Sequence, residues 1–430
     1  MALPIILQNL LSTVIASLDT FMLGFIGQTE LAAVALANQL FFVLSLFFLG
    51  LTANTGIMMA QYLGKKDWDK VNQIFMLSCR ISIAVCFCFS IIAIFFPETV
   101  MSLMTNEQIL IDKGVQYLRY VGLSYLFMAF SQVYLVTLKT MLYVKKSVTI
   151  GIITLLINFS LNAVFIFGLF DMPKLGIIGV AIATCIARFI ELAYCIFDCI
   201  RYKPVLFKRN LSIDGILRRD FFKIALPLIT QGFVWGGAMT VMSAVIGHLG
   251  SDVVAANSIA AVIQHIATVI SFGLAEAGAI FLGKDLGSGQ FELAKMHGGA
   301  LLKIAVFFGV LCCIIMYMFE QPLRQILFLT QQSMLYLNVM YKILAVNVIF
   351  ASITYTALCG IFPAGGDTKY GLYIDGIVMW TLIAVGSIGA FIFNWNPIYV
   401  FIIFNIDELV KTPFVIKKYY KWHWIKNITR

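Results

Sequence analysis

Asp19 stands inside ALPIILQNLLSTVIASLDTFMLGFIG, an apolar run at residues 2–26. A carboxylate placed mid-membrane costs about 3 kcal/mol on insertion scales, so its presence implies a use. Gln8 and Ser12 precede it by eleven and seven residues, close to whole helical turns, and the three form one polar stripe. Asn158 and Asn162 in TLLINFSLNAVF are four residues apart and share a face. Thr184 lies about two turns into the run that opens GVAIAT. One carboxylate, two amide oxygens and a hydroxyl make a hard-oxygen set suited to Na⁺; the carboxylate alone can carry a proton. The structural alternative is hydrogen bonding between helices, for the asparagines and for Asp19 alike.

The second half of the chain offers other acids. Glu276 is a lone acid in SFGLAEAGAIFLG and can titrate or simply face water in a cavity. Asp367 in AGGDTK suits a turn-capping role. Asp375 lies eight residues further on, on the apolar side of that boundary. Arg188 with Glu191, and Asp407 and Glu408 with Lys411, read as local pairs along a helix. Mid-run Trp235 and Trp380, with Gln8, Ser12 and Gln231, are candidates to line a cavity. Aromatic and methionine side chains there would suit bulky organic cations.

The elements carrying these residues must be membrane helices. The chain is 61% hydrophobic and 12% charged, far too apolar for a water-soluble domain. Twelve apolar runs of about 20 residues or more occupy 2–26, 31–61, 71–96, 117–141, 148–169, 175–200, 221–247, 253–283, 297–319, 339–363, 370–394 and 397–416. The intervals leave no room for a soluble catalytic domain, so function must sit within an all-α polytopic bundle. The net charge of +9 follows topology and does not indicate nucleic acid: Lys65, Lys66 and Lys70, then Lys145 and Lys146, then Arg201 to Arg219, and finally the tail after 416 occupy alternate connections. By the positive-inside rule both termini are cytoplasmic, in a multi-pass protein of the cell membrane. Nine cysteines fall in apolar runs without metal-ligand spacing, and His248, His265, His297 and His423 are scattered. No enzyme, cofactor or metal beyond a coupling Na⁺ or H⁺ is expected.

The sequence repeats itself at an offset of 223 residues. LPIILQ (3–8) falls on LPLITQ (226–231), Gly24 and Gly27 on Gly247 and Gly250, Gly50 and Leu51 on Gly273 and Leu274, and Leu63-Gly64 on Leu286-Gly287. Six runs precede the second copy, so the halves are parallel repeats: an N-lobe at 1–200, a cytoplasmic linker at 201–220, a C-lobe at 221–416 and a basic tail at 417–430. That plan places a substrate cavity between halves that rock for alternating access.

On these residues the chain resembles the multidrug and toxic compound extrusion (MATE) family. The resemblance rests on LPIILQ…SLDTFMLGFIG…LAAVALANQ, YLGKKD, LLINFSLNAVF, MPKLGIIGVAIAT, LPLITQ…GHLGSDVVAANSIA and GGDTK. It implies two six-helix lobes around a cavity and an antiporter that moves small organic compounds against Na⁺ or H⁺. By the same resemblance Asp19 matches the ion-binding acid, with Asn158, Asn162 and Thr184 as its partners. Pro4 matches a proline at which the first helix bends, and Asp367 an acid implicated in the second lobe. Where relatives carry Glu in the seventh span this chain has Trp235, so the coupling site is expected in the N-lobe, unless Glu276 replaces that acid from the next helix. A flippase of lipid-linked or dedicated metabolites is the alternative within the superfamily, and a monomer in the bilayer is expected. Topology is directly checkable: a fluorescent reporter fused after Arg430 should fluoresce, and alkaline phosphatase fused there should be inactive.

Overall fold

The computed structural model describes residues 2–203, 205, 212–326 and 329–429, excepting the side chains at 2, 16, 17, 19–21 and 322–326. Helices run as α1 (Ala2–Gly24), α2 (Gln28–Gly64), α3 (Trp68–Phe95), a short α4 (Pro97–Ser102), α5 (Gln108–Thr140), α6 (Val144–Phe167) and α7 (Gly176–Tyr202). They continue as α8 (Gly215–Gly247), α9 (Ser251–Gly287), α10 (Phe291–Ile326), α11 (Gln331–Tyr355), a one-turn α12 (Phe362–Ala364), α13 (Thr368–Phe391), α14 (Pro397–Asn405) and α15 (Asp407–Tyr419). A π-helical turn, Thr356–Ile361, joins α11 to α12. Among the described residues ten helices are long and apolar enough to cross a membrane. With α1 and the α14–α15 pair they account for the twelve runs of the sequence.

Local chemistry sets the helix ends. Asp67 caps α3 by accepting from the Lys70 amide, and Thr330 starts α11 at Gln331, ahead of its apolar run, by accepting from Ser333. Asn396 caps α14, with Pro397 at its first position. Gly168 closes α6 in the left-handed region, at φ 72°. The stretch 397–416, expected as one span, is broken at Ile406. Asp407 and Glu408 form the first turn of the new helix, where the helix dipole favours negative charge.

The chain divides into two compact units, 3–59 with 67–222 and 60–66 with 223–430. In the first, one apolar core gathers residues such as Met22, Leu44, Phe48, Leu118, Tyr125 and Val180. Asp214, within the expected linker, is tied to this unit by an ion pair with Lys70 and by Gln73, which accepts from its amide at 3.0 Å. The Lys70 hydrogen bond holds the Asp214 carboxyl below its ordinary range. Among the described residues the second unit has a core along α8, α9, α10, α11, α13 and α14 and another beneath the tail, where Trp424 is fully buried.

Within the second unit the end of α2 meets the end of α9 backbone to backbone. A Cβ on Gly287 would lie 1.9 Å from the Gln61 carbonyl oxygen, and one on Gly64 would lie 2.2 Å from that of Lys284. Positions 61 and 284, like 64 and 287, are related by the repeat offset, so each glycine approaches the carbonyl of the other's neighbour. The Gln61 amide also donates to the Ala364 carbonyl at 2.6 Å and accepts from the Ile428 amide at 2.8 Å, fastening the tail. Gly287→Ala should lower the melting temperature, by roughly 1–3 kcal/mol of overpacking, whereas Gly24→Ala, with open space around it, should leave melting near that of the parent protein.

Candidate functional site

In the first unit a polar string joins α6 to α7, and α1 runs beside α6. Thr184 on α7 accepts from Asn158 Nδ2 at 3.2 Å, and Asn158 Oδ1 accepts from Asn162 Nδ2 at 3.4 Å. Asn162 is buried, whereas Asn158 and Thr184 are half-buried. The string thus joins two turns of α6 to α7 and groups several neutral oxygens.

The side chain of Asp19 lies outside the described residues, but its height on α1 is fixed by contacts on either side. Gln8 packs on Gly151 of α6, where a Cβ would approach Gln8 Nε2 to 2.2 Å. The ring of Phe25 meets that of Phe167 at 5.7 Å, edge on. From 8 to 25 and from 151 to 167 the helices advance nearly in step, so they run parallel. Position 19, eleven residues beyond Gln8, therefore comes level with 162, eleven beyond Gly151. Ser12 donates its hydroxyl to the Gln8 carbonyl at 2.8 Å, back onto its own helix. Pro4 sits in the first turn of α1, where its missing N–H removes no helical bond.

The second unit repeats the packing and changes the chemistry. Gln231, equivalent to Gln8, packs on Gly371 of α13, where a Cβ would meet its Nε2 at 2.9 Å. Here, however, Gln231 Nε2 donates to Asp375 Oδ2 at 2.7 Å. Asp375 Oδ1 accepts from Lys411 Nζ at 3.1 Å, and the same ammonium reaches Asp407 at 2.9 Å and Glu408 at 2.6 Å. The Lys411 side chain is 2% exposed, and its three N–H donors meet three carboxylates. Thr354 on α11 completes the group through its hydroxyl bond to Glu408. The local pairs expected among Asp407, Glu408 and Lys411 do form, but the sequence reading missed that Asp375 and Gln231 join them from other helices. The signal available was three acids and one lysine in two apolar runs, an excess of negative charge.

Other candidates fall elsewhere. Asp367 occupies the N-cap position of α13 but makes no capping bond, and pairs instead with Lys418 at 2.8 Å. Glu276 is half-buried on α9. Trp235 packs on the apolar core of its unit. Trp380 is 41% exposed and donates its indole N–H to the Val234 carbonyl at 3.3 Å, which brings the two tryptophan positions together. In the first unit Arg188 and Glu191 pair at 2.9 Å as expected. Asp198, not singled out from sequence, is buried and bound by Lys146 and by the Tyr134 hydroxyl at 2.6 Å.

Among the described residues the chain is a repeated bundle of helices of membrane length, with buried ionisable groups such as Lys411, Glu408 and Asp198. The MatE family model matches residues 4–164 and 227–388, one match in each unit. The chain belongs to this family and is a MATE transporter. It is 24% identical to the uncharacterized transporter YisQ of Bacillus subtilis over 99% of this chain and 94% of that one. It is also 24% identical to the multidrug resistance protein NorM of Vibrio parahaemolyticus, over 69% of this chain and 66% of that protein. The fold superposes on the Vibrio cholerae MATE transporter VcmN in the bent form with TM-score 0.87 at 18% identity, covering 98% and 95% of the two chains. A MOP superfamily transporter from Pyrococcus furiosus gives TM-score 0.85 at 16% identity, covering 98% and 96%.

Replacing Lys411 by Met would strand three buried carboxylates. Breaking a buried ion network by removing one partner costs about 3–5 kcal/mol, so the variant should melt at markedly lower temperature in detergent. Lys418→Met, which removes the more exposed pair with Asp367, should cost under about 1 kcal/mol.

Proposed function

We propose that this protein is a secondary antiporter that exports organic, cationic or amphipathic, compounds in exchange for Na⁺ or H⁺ entering the cell. The observation that supports this reading most is the register of α1 against α6. It brings the level of Asp19 to the Asn158–Asn162–Thr184 string, one carboxylate among neutral oxygens. Such a set binds Na⁺ as a hard cation, or lets the carboxylate take a proton in its place.

The gradient loads Asp19, α1 shifts on α6, and affinity for the organic compound changes in return, since coupling between two ligands is reciprocal. Both termini lie in the cytoplasm on this reading, and the two lobes alternate access to a cavity. Trp235 and Trp380, close together on α8 and α13, offer aromatic faces to a cationic or amphipathic cargo. The acidic balance of the membrane-embedded ionisable groups favours such cargo over a phosphate-bearing lipid-linked sugar.

The test is substrate efflux from oriented vesicles under separately imposed Na⁺ and pH gradients. One gradient should drive efflux in the parent protein. Asp19→Asn should cut that driven efflux by about 5–150-fold, the usual span of coupling free energies, while melting like the parent. Driven efflux undiminished in Asp19→Asn would sink the reading.

A further inference from the structure

Lys411, Asp375, Asp407 and Glu408 form a closed group in the second unit whose charges do not balance. Three carboxylates against one ammonium leave an excess of two negative charges if all are ionised. The side chains of Lys411, Glu408, Asp375 and Asp407 are only 2%, 4%, 10% and 12% exposed. Excess charge buried at that depth is reduced by protons or bound cations, and one proton brings it from two to one.

What marks the carboxyl that takes the proton is a partner able to accept an O–H. Asp375 has a donor on each oxygen, Gln231 on one and Lys411 on the other, which favours its ionised form. Asp407 receives Lys411, which can only donate; the α15 dipole acts on Asp407 and Glu408 alike. Glu408 has Lys411 on Oε1 and the Thr354 hydroxyl on Oε2. Thr354, however, has a single hydrogen, and its oxygen also lies 3.1 Å from the Phe350 carbonyl and 3.2 Å from that of Ala351. When that hydrogen goes to its own helix, the remaining bond is made by a carboxyl O–H of Glu408 donating to Thr354 Oγ1.

The backbone around Glu408 is built to give. The helix is interrupted at Ile406, two residues before Glu408, and Thr354 stands two residues before the π-helical turn that begins at Thr356. Among the described residues the other titratable side chains beside the cluster are the phenol of Tyr355, from α11, and the thiol of Cys359, from that turn; neither type can carry a positive charge.

We propose that Glu408 holds an exchangeable proton, and that its loss loosens the first turn of α15 from α11 and α13. On release the O–H bond breaks, the electron pair stays on the Glu408 oxygen and the proton passes to water. The carboxylate left behind restores the excess of two negative charges, and the joint at Ile406 is where the strain can relax.

The experiment uses the full-length protein in lipid nanodiscs, without substrate or ion gradient, so its failure leaves the antiport reading standing. Infrared difference spectra taken on raising the pH should show loss of a protonated-carboxyl carbonyl band that shifts in heavy water. Glu408→Gln should lack the band, and Thr354→Val should move it. Hydrogen exchange of the amides at 405–412, corrected for intrinsic rate, should quicken about tenfold as the band is lost, and should stay slow in Glu408→Gln. No such band in the parent protein at any pH, a band that survives Glu408→Gln, or exchange unaffected by its loss would overturn the proposal. So would an excess of charge met by Na⁺, seen as a Na⁺-dependent rise in melting temperature that Glu408→Gln removes, with no carboxyl band. If Glu408→Gln fails to fold, the parent titration and Thr354→Val decide.

Discussion

Hydrocarbon offers a polar group no partner, so each amide, carboxylate and ammonium carried into a membrane bundle must be met by another group of the protein. Lys411 shows the constraint at its sharpest. Its ammonium, 2% exposed, is held by carboxylates from two helices, and one of these is braced by an amide from a third. The same demand explains the asparagine–threonine string of the first unit, where α6 and α7 answer each other's polar groups. The partners that make a buried charge tolerable also set the chemistry of the place where it sits.

The two units solve the demand differently on one template. Gln8 rests on Gly151 and Gln231 rests on Gly371, the same side chain on the same kind of gap between equivalent helices. Beyond that shared contact the chemistry departs. α6 continues with Asn158 and Asn162, neutral oxygens level with a single acid, whereas α13 continues with Asp375 and engages a lysine from α15. The neutral oxygens of the first set bring no charge to be balanced, whereas the carboxylates of the second already hold the Lys411 ammonium.

The second unit also contains a close backbone contact. The reciprocal approach of Gly64 and Gly287 to the carbonyls of Lys284 and Gln61 leaves no space for any side chain. Gln61 then uses its amide on both the α12 end and the tail. One short stretch of α2 thus joins the core beneath Trp424, and the repeated Leu63-Gly64 and Leu286-Gly287 positions serve as a packing joint.

Much of this was legible in the residues themselves. Apolar runs of membrane length, alternating basic connections and the 223-residue offset determined an all-α, twice-repeated transporter, because hydropathy and backbone hydrogen bonding leave a membrane chain few alternatives. The i, i+4 spacing of Asn158 and Asn162 and the whole-turn spacing of Gln8 and Asp19 determined which faces are polar. What spacing within one helix could not decide was partnership between helices far apart in sequence. Asp375 and Lys411 belong to different runs, and only the packing of α13 against α15 makes them a pair. The break at Ile406, hidden in an otherwise continuous apolar stretch, was decided in the same way, by carboxylates that needed Lys411, Thr354 and a helix start more than they needed an unbroken span.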